Sequence, residues 1–239
     1  MRLIWCQGGN PCSARLAIEA GWWYGFRSDG NDYASELGPV SLLDSHWINP
    51  DWSRHLRVAE RVRPWLATVP DTMNLEELPR TLTQAEEIAP LCDRVLIVPK
   101  CAGLIGQLPR TVGGKPVVLG YSVPTSYGGT DLPLWDFSGW PVHLLGGNPR
   151  RQAELCGYLQ VQSVDGNLAW RMARKGIVVT ARGIGGQTLN QMDGQRWEGD
   201  GHLEALRRSL ANLRAFWGRR QGIEWKDQPV LPPNVANVR

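Results

Sequence analysis

Short apolar runs recur along the chain at 3–6, 22–26, 39–43, 65–69, 94–98, 116–120, 141–145 and 158–164, with turn residues after each. The runs are continuous rather than alternating, as strands covered on both faces are. Between several of them the period changes to that of a helix. Residues 51–63 place Leu56, Ala59 and Val62 three apart among charges. Residues 81–89 open on Thr81, a capping hydroxyl, while residues 149–156 begin on a first-turn proline and end at Gly157. A last helix is predicted over about 202–218.

Strand and crossover, repeated eight times, predict an α/β protein: a compact (β/α)8 TIM-like barrel, with a doubly wound open sheet as the competing arrangement. The crossovers 101–115 and 124–140 are rich in Gly and Pro, so some barrel helices are expected to be degenerate. The chain reads as a single barrel domain over 1–239, in which 176–239 supply a connection, a C-terminal helix and a Pro-rich tail packed on the barrel. A Gly-Gly-Asn-Pro turn at 8–11 returns at 146–149. Each is either a tight loop into a helix or a set of backbone N–H groups facing a phosphate.

Composition narrows the class. No apolar run approaches the roughly 20 residues that cross a bilayer. The first six residues read as a strand rather than a signal peptide, so a cytoplasmic location is expected. Cys6, Cys12, Cys92, Cys101 and Cys156 are odd in number and form no CxxC pair, which excludes a disulfide framework and a zinc knuckle. His46 and His143 belong to no metal-binding spacing and read as polar packing. Residues 1–120 carry 12 basic and 13 acidic groups and the remainder 14 and 10, so the second part is the basic one. Its arginines Arg207, Arg208, Arg214, Arg219 and Arg220 form either a phosphate-facing stripe or an ordinary solvated face. Twelve tryptophans suggest some exposed rings able to stack on bases. Trp47, Trp52, Trp135 and Trp140 are the candidates, with the 124–140 loop favoured as a mobile surface lid.

Catalysis in a barrel sits at the C-terminal ends of the strands. Those ends supply Asp44, Asp71, Lys100, Tyr121 with Ser122, and Asp165. In the last case, Asp165-Gly166-Asn167, the plain reading is a turn with Asn167 capping the next helix. Three carboxylates and a lysine at one register point further: such groups serve as nucleophile, general acid/base and hydrogen-bond acceptor, or bind a divalent metal.

The ordered set resembles the tRNA-guanine transglycosylase superfamily, and within it the short, zinc-free phage and bacterial DpdA-like DNA-guanine transglycosylases. Leu43-Asp44-Ser45-His46-Trp47 is similar to the family's DSGGF strand end without its two glycines. Asp71 stands where the family has the aspartate that reads the base edge. The stretch from Gly120 to Pro124 is similar to GGLAVGE, the stretch Gly146-Gly147-Asn148-Pro149 to GVGTP, and the stretch from Val164 to Asn167 to FDCV. The likeness runs over about 40–175 in unbroken order. Three features depart from the family: its CxCxxC…H zinc site is absent, Lys100 replaces a glutamine, and residues 1–38 match only as barrel strands.

The resemblance implies replacement of guanine by a 7-deazaguanine, such as 7-cyano-7-deazaguanine, in nucleic acid, with DNA favoured over tRNA. No cofactor and no zinc are implied, and accessory proteins are left open. Asp165 would be the nucleophile at C1′ and Asp44 the general acid/base, its pKa raised by burial beside Trp47 and two other carboxylates. Asp71 would accept from the purine N1–H and 2-amino group. Lys100, or the Gly120–Tyr121 backbone, would donate to O6, with Ser122, Gly146 and Gly147 lining the site. Two other readings use the same residues: a carboxylate-dependent barrel hydrolase, metal-dependent or N-glycosidic, and a barrel that only binds nucleic acid.

Overall fold

The computed structural model describes residues 1–6, 10–30, 37–46, 48–125, 128–179, 190–191 and 201–226. Eight strands carry the architecture: β1 Arg2–Cys6, β2 Trp23–Arg27, β3 Val40–Asp44, β4 Leu66–Thr68, β5 Arg94–Ile97, β6 Lys115–Ser122, β7 Pro141–Leu145 and β8 Gln160–Gly166. Each pairs in parallel with the next in the chain, and β8 returns to β1 with Asp165 opposite Ile4. The sheet is therefore closed, and the open doubly wound alternative is excluded. All eight apolar runs became barrel strands.

The helices between them are α1 Pro11–Glu19, α2 Trp52–Val62, α3 Leu78–Ile88, α4 Pro149–Leu155, α5 Leu168–Ala173 and α6 Gly201–Trp217. Asp51 caps α2 by accepting from the Arg54 N–H at 2.9 Å, and Asn148 caps α4 the same way from Arg151. Helix α3 starts three residues before the expected Thr81, following a 3-10 turn over Leu75–Glu77 that Asn74 caps. Thr81 is buried inside the helix and bonds Glu77 O at 3.1 Å and the Thr72 hydroxyl at 2.9 Å, so it braces the preceding loop instead of capping. The crossovers into β6 and β7 contain 3-10 turns at Ile105–Gln107 and Leu134–Phe137. Most of the expected 176–200 connection and the Pro-rich tail lie outside the described residues. No helix among the described residues is long and apolar enough to cross a membrane.

Two apolar layers hold the fold. Ile4, Leu42, Leu66, Leu96, Val98 and Val118 fill the barrel, and the larger cluster lies between strands and helices. The inner layer is tight enough to require glycine at 120, where a Cβ would lie 2.7 Å from Val98 Cγ2 and 2.9 Å from Leu145 Cδ1. At the N-terminal end the Arg2 guanidinium lies 4.1 Å from the Trp23 ring and 4.3 Å from the Trp65 ring. Glu224 pairs with Arg2 at 3.0 Å, which compensates the charge there. Trp5, Trp22, Trp140, Trp170 and Trp217 are buried, so much of the tryptophan content builds floor and core.

Candidate active site at the barrel mouth

Asp44 is the last residue of β3, on the register that sends Leu42 into the barrel. Its Oδ1 accepts the Ser45 N–H at 2.9 Å. Burial, then the negative charge of Asp165 and more weakly that of Asp71, lift its carboxyl from 3.8 to about 7, against hydrogen bonds from Thr68 and Ser45.

Asp165 stands on β8, whose strand runs to Gly166, beyond the expected end. Its side chain is 14% exposed. Asn167 makes no side-chain capping bond to α5. The carboxylate instead accepts the Gly146 N–H on Oδ1 at 2.9 Å. Gly146 and Gly147 turn at φ 63 and 81, and a Cβ on Gly147 would stand 2.5 Å from Val123 Cγ1, so side chains are excluded there. Gln152, buried on α4, closes the arrangement: its Nε2 donates to Gly146 O at 2.6 Å and Asp165 O at 2.7 Å. The glycine pair expected to line a ligand therefore directs the Gly146 N–H at the proposed nucleophile.

Asp71 and Lys100 follow β4 and β5 and form an ion pair at 3.3 Å, with side chains 20% and 12% exposed. Burial raises the Asp71 carboxyl, and Lys100 opposes that rise. Thr72 staples the two loops, its N–H donating to Val98 O and its carbonyl accepting from Lys100 N, both at 3.0 Å.

Of the β6 stretch, Gly120 faces inward and Ser122 ends the strand half-buried, its carbonyl accepting from Thr130 N at 2.9 Å. The Tyr121 side chain is in the outer layer, edge-on to Phe137 with ring centroids 5.1 Å apart. Only its backbone is left to the site.

Four residues that sequence reading did not assign to the site belong to this end of the barrel. Cys6 ends β1, and burial with the charges of Asp165 and Asp44 pushes its thiol well up. Arg27 ends β2, acts on Cys6 in the opposite sense, and pairs with Asp29 at 3.0 Å. Thr68 ends β4. Reading every strand end, and not only carboxylates and lysine, would have found these three. The fourth is His143, fully buried, with Nδ1 2.7 Å from Ser163 Oγ and Nε2 3.4 Å from Asp165 Oδ1. The expectation of polar packing holds for its Nδ1 alone.

Other expectations resolve differently. Trp52 donates to Glu87 at 2.6 Å and stacks on His55 in the helix layer, and Trp140 is buried under the Arg110 guanidinium at 3.7 Å. Trp135 is 78% exposed. Trp47, Gly8 and Gly9 lie outside the described residues. The arginine stripe is engaged locally: Arg207 and Arg208 hold Glu204, Arg214 bonds Ala20 O at 2.7 Å, and Arg220 bonds Ala153 O. All five cysteines are free thiols, and no group of three or more His, Cys, Asp or Glu poised for a metal is present among the described residues.

Fold and geometry define a closed parallel βα-barrel of the TIM type whose mouth gathers three aspartates, a lysine and a buried histidine. The chain matches DUF6610, a family of unknown function, over residues 17–218, and it belongs to that family. No curated protein matches it.

Proposed function

We propose that this protein is a base-exchange transglycosylase that replaces guanine with a 7-deazaguanine in nucleic acid, DNA before tRNA, in the cytoplasm. The carrying observation is the pair Asp44–Asp165 over one mouth: burial, and then the charge of Asp165, raise the Asp44 carboxyl to about 7. Double displacement at an anomeric carbon uses one carboxyl as nucleophile and a second as acid and then base. Asp165 attacks C1′, the C1′–N bond breaks, and its electron pair leaves with the purine, which takes the Asp44 proton. The incoming base then gives a proton to Asp44 and attacks C1′, and the ester electrons return to Asp165.

The pair Asp71–Lys100 supports guanine as the leaving base. Guanine presents an acceptor, O6, beside two donors, N1–H and the 2-amino group; Lys100 donates to the first and Asp71 accepts from the others. A site built this way rejects adenine, which would leave both charges unmatched. Gly120, Ser122 and the Tyr121 backbone form the adjacent wall. The chemistry asks for no metal or organic cofactor, and a duplex base reaches the mouth only when flipped out.

Release of labelled guanine from duplex DNA, single-stranded DNA and tRNA, with and without 7-cyano-7-deazaguanine, tests the proposal. Release from DNA that requires the incoming base is expected. Equal release without it would make the protein an N-glycoside hydrolase, and release from tRNA alone would overturn the DNA assignment. Activity lost to a chelator would favour a metal-dependent hydrolase, and binding without any release a non-catalytic barrel.

A further inference from the structure

The geometry points to His143 as the positioning residue of Asp165: together with Gly146 it holds Oδ1, which leaves Oδ2 as the oxygen that attacks. This deepens the transglycosylase reading and rests on it for the chemical step, though not for the contact itself.

His143 is opposite Ser163 in the β7–β8 register, two residues before Asp165 and so on the same face of β8. The imidazole is fully buried above the aliphatic layer of Ile4, Leu42, Leu66, Leu96, Val98 and Val118. Its Nδ1 lies 2.7 Å from Ser163 Oγ, whereas Nε2 has no hydrogen-bond partner and lies 3.4 Å from Asp165 Oδ1. Buried polar atoms left in that condition are rare, and those in native proteins call for an explanation. With Ser163 donating to Nδ1, the ring proton is on Nε2, facing the carboxylate. The other tautomer would set a nitrogen lone pair against a carboxylate oxygen, which is repulsive.

Oδ1 is thus approached by two donors, the Gly146 N–H at 2.9 Å and the His143 Nε2–H at 3.4 Å, the second needing only a small shift to bond. Oδ2 has no hydrogen-bond partner among the described residues. When the C1′–Oδ2 bond forms, Oδ1 becomes the ester carbonyl oxygen. When that bond breaks, its electron pair returns to Asp165 and the growing charge meets both donors. Preorganised donors act where charge develops. His143 therefore assists adduct breakdown more than adduct formation.

The contact is tested first without turnover, by imidazole nitrogen NMR on the free protein. A protonated Nε2 on His143 is expected, shifted by Asp165→Asn and much less by Asp44→Asn. An unprotonated Nε2, or one indifferent to Asp165→Asn, overturns the inference whether or not base exchange occurs. Single turnover with DNA and 7-cyano-7-deazaguanine tests the role. His143→Phe keeps the ring volume and should slow adduct breakdown about ten- to hundred-fold more than formation, less than loss of a well-aligned donor. The adduct then accumulates, and His143→Gln, which restores an N–H, reverses most of it. Equal slowing of both steps would make His143 a packing residue. If His143→Phe does not fold, Ser163→Ala, which frees the other tautomer, should give a smaller accumulation of the same kind, and its absence overturns the role. An inactive wild type removes the transglycosylase reading and leaves the NMR result standing.

Discussion

Asp44 and Asp165 come from β3 and β8, strands separated around the barrel by β1 and β2, yet the charge of one is felt by the carboxyl of the other. Neither strand alone produces that coupling. Closure of the sheet does, by placing both tips over one mouth, where the proposed reaction makes Asp165 the nucleophile and Asp44 the acid and base. Asp165→Asn should abolish exchange and the denaturation-resistant DNA adduct while leaving the thermal melt nearly unchanged. Asp44→Asn should slow both half-reactions. An adduct seen by intact mass in Asp165→Asn but missing in Asp44→Asn would mean the two roles are reversed.

The raised Asp44 carboxyl sets a pH dependence. Adduct formation needs its protonated form, so single-turnover formation should fall about ten-fold per pH unit above about 7. Stability follows the same group. Its folded value lies above the ordinary 3.8, so its contribution is complete below about 4 and is lost as pH rises through about 7. Asp44→Asn should therefore melt higher than wild type at about pH 8 and lose that advantage near pH 4. An advantage independent of pH would count against burial as the cause.

His55 acts in the opposite direction. It is buried behind Trp52, its Nδ1 is 2.9 Å from Ser28 Oγ, and burial lowers it from 6.5 to about 4. A lowered histidine stabilises above its unfolded value, and that contribution is lost as pH falls from about 6.5 through about 4. His55→Phe keeps the ring on Trp52 and cannot take a proton. Its melting temperature should be lower near neutrality and should decline less on acidification than that of wild type.

Lys100 and Asp71 satisfy each other as an ion pair, and in the proposed reaction each turns to the base edge. Lys100→Met leaves a buried carboxyl without its counter-charge, so the Asp71 carboxyl should rise further. Steady-state exchange should show KM for the incoming base up about ten- to hundred-fold, the cost of an unmatched buried polar group. Lys100→Gln should recover part of it through the amide donor. An unchanged KM in Lys100→Met would remove Lys100 from base recognition.

The eight strands were legible because continuous apolar runs bounded by turn residues have few other homes in a chain of this size, and their expected ends lie within two residues of the observed ones. Asp44 and Asp165 are accordingly on strand tips, and Asp71 and Lys100 are three residues beyond Thr68 and Ile97. Pro149 marked a helix start correctly because its fixed φ and missing N–H suit a first helical turn, whereas Thr81, read as a cap, lies inside α3. Inward and outward positions were not legible, since strands buried on both faces show no alternation. Tyr121 could not be told from Gly120, nor His143 from a packing residue. Tertiary packing decided those: side-by-side pairing of successive strands put His143 and Gly146 against Asp165 and stapled Lys100 to Asp71 through Thr72, burial drew tryptophans into floor and core, and closure set β1 beside β8. Only the pairing of β1 with β8, and with it the approach of Asp44 to Asp165, needs the ring to complete, while the other contacts join strands that lie side by side, so the sequence determined which groups reach the mouth and the tertiary structure determined which of them face one another.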